Sequence, residues 1–193
     1  MEQLAVKLSH YLLRQGVIQA EDQDVYVYSF QAMFFGGGYW LTMLALALMM
    51  HKLPESIAFF AAFLLLRSSI GGYHAQSQLR CAVLSIASFG LFLLVVHYLL
   101  PIWIPTVTIG AMLLATGLTI AYAPIDHDNR AFRQGERQYY RKRSIILLIT
   151  AWAAVILIHY LSWPKGALCV SLGACQATLA LLAAYLKKRR ETR

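Results

Sequence analysis

A histidine and a cysteine seven positions apart, His74 and Cys81, are a pair of side chains that suits nucleophilic catalysis. A thiolate is the reactive form of cysteine, and a histidine can take the thiol proton and later deliver a proton to a leaving amine. Arg80, adjacent to the cysteine, adds a positive charge that favours the thiolate. By spacing alone, a His and a Cys in one loop are usually unrelated structural residues, and nucleophilic catalysis by the cysteine is the alternative.

The spacing of this pair sets a condition on the helices around it. Seven residues of straight α-helix separate two side chains on one face by about 10.5 Å along the axis, which is too far for a His–Cys hydrogen bond. A working pair therefore requires a break within residues 75–79, with His74 ending one helix and Cys81 opening the next. The positive end of the second helix would then favour a thiolate. Gly71 and Gly72 permit unusual backbone conformations or close approach of a substrate strand.

Composition indicates which elements must hold these residues. The chain has 193 residues, a formal net charge of +8, 59% hydrophobic residues and 13% charged residues, whereas soluble domains are about 45–50% apolar and about 25% charged. The apolar excess excludes a disordered chain and an ordinary soluble domain. Basic residues lie between the apolar runs rather than on one amphipathic face, so we expect no nucleic-acid partner.

Five runs without Asp, Glu, Lys or Arg are long enough for a membrane-spanning helix, which needs about 17–25 residues. They are residues 25–50, 81–100, 103–123, 144–163 and 166–186. A sixth run, 56–66, is too short unless it includes residues 68–73, with Arg67 snorkelling or facing protein; otherwise it is re-entrant. No strand-type alternation repeats along the chain. The sequence predicts an all-α, polytopic helical bundle of about six membrane segments, forming a single domain over residues 1–193.

The distribution of basic residues orients the chain in the membrane. With six spans and the N-terminus inside, 15 of the 17 Lys and Arg residues fall on the cytoplasmic side, and only Lys52 and Lys165 fall outside. This asymmetry follows the positive-inside rule and includes a basic loop at residues 123–143 and a basic tail at residues 187–193. We therefore expect a multi-pass cell-membrane protein whose termini and His–Cys pair are cytoplasmic. A re-entrant second segment would instead move the N-terminus outside.

Residues 1–20 predict an amphipathic N-terminal helix rather than a signal peptide. Charged residues interrupt the apolar ones, which recur at helical spacing, so the uninterrupted apolar run of a signal peptide is missing. The apolar positions are Leu4, Leu8, Tyr11 and Leu12. Such a helix lies on the membrane surface or packs on a partner, and a solvated helical lead-in is the equal alternative. Gly16 is placed to end it.

Two motifs resemble those of the accessory gene regulator B (AgrB) family of Gram-positive bacteria. The first is Gly-Gly-Tyr-His-Ala at residues 71–75 followed by Cys81, and the second is Tyr-Ala-Pro-Ile-Asp-His-Asp-Asn-Arg at residues 122–130. Length, hydropathy and motif order are similar over nearly the whole chain. The second motif departs at its end, where Arg130-Ala131 stands in place of the common Lys-Pro, so the role of that proline is not carried over.

The resemblance implies an integral-membrane cysteine endopeptidase that processes a quorum-sensing propeptide of the AgrD type. It assigns Cys81 as the nucleophile and His74 as the general base and acid. The enzyme would cut an acidic tail from the signal sequence through an acyl-enzyme thioester, which a substrate Cys or Ser could convert into a thiolactone or lactone ring. The resemblance also implies a homodimer, and we expect no cofactor and no metal, since the sequence lacks the zinc-protease pattern.

Candidate substrate-binding residues lie near both motifs and in the basic loop. They are Arg67, Gly71, Gly72, Arg80, Arg130, Arg133 and Arg137. The basic residues of the loop would hold an acidic tail by charge complementarity, whereas topology and contact with anionic lipid explain the same charges without a substrate. The alternative function is a non-enzymatic peptide transporter or membrane partner protein. A transporter more often shows internal repeats, and we find none in this sequence.

Overall fold

The computed structural model describes residues 2–72, 78–125, 132 and 135–191, and within these ranges the chain forms seven α-helices and no strand. The helices are α1 (Glu2–Arg14), α2 (Gln23–Met49), α3 (Leu53–Ile70), α4 (Gln78–Tyr98), α5 (Ile104–Tyr122), α6 (Glu136–Tyr160) and α7 (Pro164–Glu191). Short 3-10 turns, Ala20–Asp22 and Pro101–Trp103, precede α2 and α5. The all-α prediction is confirmed.

Six of these helices, α2 to α7, are long and apolar enough to cross a membrane. Backbone polar groups inside hydrocarbon need partners within the segment itself, so uncharged runs of this length fold as helices. Proline lies in the first turn of α3, α5 and α7, at Pro54, Pro105 and Pro164, where its missing N–H leaves no helix bond unmade. The predicted polytopic bundle with about six membrane segments is confirmed.

The second membrane segment, α3, is one continuous helix of 18 residues, about 27 Å long at 1.5 Å per residue. It begins at Leu53, before the uncharged run 56–66, and so includes Glu55. Glu55 is only 9% exposed, and Lys52 Nζ donates to Glu55 Oε1 at 3.4 Å. It ends at Ile70, three residues before the predicted limit. The length and continuity of α3 favour the spanning alternative over the re-entrant one.

The basic segments are more helical than the sequence analysis predicts. The predicted loop at residues 123–143 overlaps α6, which begins at Glu136. The predicted tail at residues 187–193 continues α7 as far as Glu191. An acid in the first turn of α6 and basic residues in the last turn of α7 each complement the helix dipole, which favours these extensions.

The chain divides into two compact units, as far as they are described: Met1–Met49 with Ala75–Gly90, and Met50–His74 with Leu91–Arg193. Helix α4 therefore contributes its first part to one unit and its last part to the other. The prediction of a single domain stays a prediction, and each unit is described by itself.

In the first unit, α1 packs against α2. The buried contact face of α1 is formed by Ala5 and Ser9, both 0% exposed, and Ser9 Oγ donates to the carbonyl O of Gln23 at 3.2 Å. Gly16 follows α1 with a φ of +68°, so the predicted helix end is confirmed. Leu4 is exposed, which suits contact of the opposite face with a membrane surface.

In the second unit, α7 is the central helix and packs against α3, α5 and α6. Of its apolar window, 61% is buried, against 11–33% for the other spans. A Cβ on Gly173 would overlap the carbonyl O of Phe59, so this glycine allows the α3 and α7 backbones to approach closely. Cys169 is a free thiol with 0% exposure, and it serves as a small core residue.

Candidate functional site

Cys81 lies in the first turn of α4, which begins at Gln78. Helix α3 ends at Ile70, so it carries neither member of the predicted catalytic pair. The prediction that His74 ends the first helix is wrong, because α3 ends four residues earlier, at Ile70. The next residue, Gly71, has a φ of +77°. His74 itself lies outside the described residues. Cys81 is half-buried at the helix end whose partial positive charge favours an anion.

The two sequence motifs meet in the second unit. The backbone N–H of Ile125 donates to the carbonyl O of Ile70 at 3.2 Å. A Cβ on Gly71 would lie 2.7 Å from the carbonyl O of Ile125, and a Cβ on Gly72 would overlap the guanidinium of Arg67. Arg67 Nη1 in turn donates to the carbonyl O of Gly71 at 3.2 Å. Close packing against backbone therefore favours glycine at position 71, and both glycines have positive φ angles.

A cavity of about 410 Å³, the α3–α6 cavity, opens beside this junction. It is lined by Ser68, Ser69, Gly71, Ile125, Phe132, Glu136 and Tyr140. Ser69 is 2% exposed, and its Oγ has no hydrogen-bond partner within the described part of the chain. The Phe132 and Tyr140 rings lie 5.5 Å apart. A buried hydroxyl without a partner beside an aromatic wall suits a ligand that combines hydrogen-bonding and apolar groups.

A second cavity, of about 500 Å³, is also lined by Ile125. It lies where α5 and α7 end and α6 begins. This α5–α7 cavity is lined by Ala121, Tyr122, Pro124, Ile125, Arg137, Tyr185, Lys188 and Arg189. Three of these side chains are basic. The sequence analysis assigned Lys188 and Arg189 only to a basic tail and did not group them with Arg137.

The candidate substrate-binding residues do not form one group. Arg67, Gly71 and Gly72 contact one another at the end of α3. Arg137 lines the α5–α7 cavity instead. The remaining candidates are Arg80, which lies in the first turn of α4, and Arg130 and Arg133, which lie outside the described residues. Their roles toward a substrate stay predictions, as does the homodimer.

Fold and site together define an all-α, multi-pass membrane protein with a cysteine in the first turn of a spanning helix. The accessory gene regulator B family model matches residues 3–182, which includes all seven helices apart from the end of α7. The chain belongs to the AgrB family, as the motifs predict. The family is known for quorum-sensing propeptide processing, and membership supports a peptidase role in general. Searches of curated proteins and of solved structures each found no significant match.

Proposed function

We propose that this protein is a membrane-embedded cysteine endopeptidase that cuts the C-terminal tail from a quorum-sensing propeptide. The observation that carries the proposal is the position of the free, half-buried Cys81 in the first turn of α4 as that helix is described. The positive end of a helix dipole favours the thiolate there. Membership of the AgrB family supports the peptidase class.

In the proposed reaction, the Cys81 thiolate attacks the scissile carbonyl carbon, so that a C–S bond forms and the C–N bond breaks. His74 takes the thiol proton and delivers it to the departing amine of the tail. The signal sequence remains on Cys81 as a thioester. Water attacking that thioester gives a linear peptide, whereas a substrate Cys or Ser gives a ring. In both cases the C–S bond breaks, and the proton of the attacking group returns through His74 to the thiol.

The α3–α6 cavity is the proposed seat of substrate residues next to the scissile bond. It is lined by Gly71, three positions before His74 in the sequence. The Ser69 hydroxyl is buried and lacks a partner among the described residues. Rotated toward the cavity, it would bond to a peptide N–H or C=O, since buried hydroxyls are ordinarily hydrogen-bonded. Arg130 and Arg133 remain the proposed contacts of an acidic tail by charge complementarity.

Co-expression with the cognate propeptide tests the proposal. Cys81→Ala and His74→Ala should each abolish release of the tail, whereas Cys175→Ala, at a second half-buried free cysteine, should leave it unchanged. Intact-mass analysis of the wild-type protein, which retains Cys81, should show the propeptide's N-terminal part as a thioester adduct. Full cleavage by Cys81→Ala would overturn the enzyme assignment. Linear product alone, with normal cleavage, would remove only the cyclisation step.

A further inference from the structure

The α5–α7 cavity collects positive charge from two helices that are distant in sequence. Arg137 comes from the first turn of α6, and Lys188 and Arg189 come from the last turn of α7. Three cations around one concave volume suit an anionic group with several acceptor oxygens, such as a phosphate.

The rest of the cavity wall is aromatic and apolar. The Tyr122 and Tyr185 rings lie 4.6 Å apart, and Ala121 and Pro124 complete that part of the lining. Ile120 and Leu186, which neighbour lining residues of α5 and α7 in sequence, are 60% and 47% exposed. Both belong to helices that are long and apolar enough to span a membrane, and such side chains suit contact with acyl chains. The cavity thus has a cationic part beside an apolar surface.

Its position along the helices corresponds to the membrane boundary. Tyr122 is the last residue of α5, and the uncharged run of α7 ends at Leu186, immediately before its basic residues. Tyrosine rings and basic side chains at the ends of spans lie at the level of lipid headgroups. A free anion in solution would need the cations but not the apolar surface, whereas a phospholipid matches both.

We propose that the α5–α7 cavity binds an anionic phospholipid, with the headgroup phosphate on Arg137, Lys188 and Arg189 and the acyl chains along the exposed residues of α5 and α7. Basic pockets between spanning helices bind headgroups of this kind. Because Ile125 lines both cavities and its N–H bonds to Ile70, a lipid bound here also supports the segment that shapes the α3–α6 cavity. The proposal is independent of the peptidase assignment.

Native mass spectrometry of the delipidated protein in detergent tests the site. The probes are phosphatidylglycerol and phosphatidylcholine with identical acyl chains, inorganic phosphate and a hexaglutamate peptide. The wild type should bind phosphatidylglycerol more tightly than phosphatidylcholine. Lys188→Gln with Arg189→Gln should weaken phosphatidylglycerol binding by about fivefold for each cation removed and leave phosphatidylcholine binding unchanged.

Two matched variants show whether a loss of lipid binding comes from charge at the cavity, from a lower overall charge or from misfolding. Lys7→Gln with Arg14→Gln removes two exposed cations from α1 and should retain wild-type binding. Lys188→Arg with Arg189→Lys keeps the charge and should bind within about twofold of wild type. Equal binding of the two lipids by the wild type would overturn the proposal, as would equal loss in the α1 variant. Preferential capture of hexaglutamate by the same cations would assign the cavity to an acidic peptide, and displacement of phosphatidylglycerol by millimolar phosphate would assign it to a free anion.

Discussion

The backbone N–H of Ile125 donates a hydrogen bond of 3.2 Å to the carbonyl O of Ile70. These two residues lie 55 positions apart, each at the margin of a different sequence motif, and the bond joins the two motifs at the end of α3. Gly71 and Ile125 both line the α3–α6 cavity beside this bond. The shape of the proposed substrate seat therefore depends on this junction.

Gly71→Ala should destabilise the protein and lower cleavage. The φ and ψ angles of Gly71, 77° and −162°, lie in a region that is essentially restricted to glycine, with a cost of about 1–3 kcal/mol for other residues. The new Cβ would also lie 2.7 Å from the Ile125 carbonyl O. Thermal unfolding in detergent, followed by tryptophan fluorescence, measures the loss.

Gly37→Ala is the matched control for this glycine. Gly37 lies inside α2, and a Cβ there would meet nothing within 4 Å. Replacing a helical glycine by alanine gains up to about 1 kcal/mol, so this variant should unfold at the wild-type temperature or above it. Equal thermal stability of the two variants would contradict the packing that we describe at Gly71.

Ser69→Ala should weaken substrate binding without weakening the fold. The Ser69 hydroxyl is buried and has no partner among the described residues, so its removal relieves a desolvated polar group in the free enzyme. If a substrate peptide group bonds to it, KM should rise about fivefold, equivalent to one hydrogen bond of about 1 kcal/mol, with kcat nearly unchanged.

Ser144→Ala provides the comparison for Ser69. Ser144 is 1% exposed, but its Oγ donates to the carbonyl O of Tyr140 at 2.7 Å within α6, so it has no need of a substrate group. KM for cleavage of the cognate propeptide should stay at the wild-type value in this variant. An unchanged KM in Ser69→Ala would exclude the proposed substrate contact, while the thermal unfolding temperature reports the fold separately.

Gly173→Ala should separate α7 from α3. The added Cβ would overlap the carbonyl O of Phe59, which is backbone and cannot rotate away, and overpacking of this kind costs about 1–3 kcal/mol. Gly117→Ala in α5, where a Cβ meets nothing within 4 Å, should unfold like the wild type. A Gly173→Ala protein with the wild-type unfolding temperature would show that the two helices are not in close backbone contact.

The sequence predicted the helices well because each span needs a long uncharged run, and such runs are visible without tertiary information. The start of α3 was predicted too late, because the charged Glu55 marks the end of the uncharged run in the sequence. Its pairing with Lys52 is visible only in the structure. The central position of α7 was not predictable either, because the spans are similarly apolar and its burial and its close approach to α3 at Gly173 depend on helix packing.

The candidate site was predictable in part. The residue types and spacing of the first motif placed Cys81 near the start of α4, as the structure has it, but placed the end of α3 four residues too late. The meeting of the two motifs through Ile70 and Ile125 was not predictable, because it depends on how the helices pack. The same holds for the grouping of Arg137 with Lys188 and Arg189, because these residues come from different helices and follow no fixed spacing.

The orientation inferred from the basic residues predicts which positions an impermeant maleimide reaches in intact cells. Single cysteines are introduced at Ile102 or Arg190 after Cys81, Cys169 and Cys175 are replaced by alanine. Ile102 is 78% exposed in the turn before α5, and Arg190 is exposed in the last turn of α7. The positive-inside rule places the first outside and the second inside.

Ile102→Cys should therefore be labelled in intact cells, and Arg190→Cys only after permeabilisation, with equal membrane insertion of both variants checked by immunoblot. Because six spans put both chain termini on one side, the end of α7 reports the side of the α3–α4 connection as well. Labelling of Arg190→Cys but not Ile102→Cys in intact cells would place His74 and Cys81 outside. Cleavage would then have to occur on a propeptide that had already crossed the membrane, which would contradict the cytoplasmic peptidase proposed here.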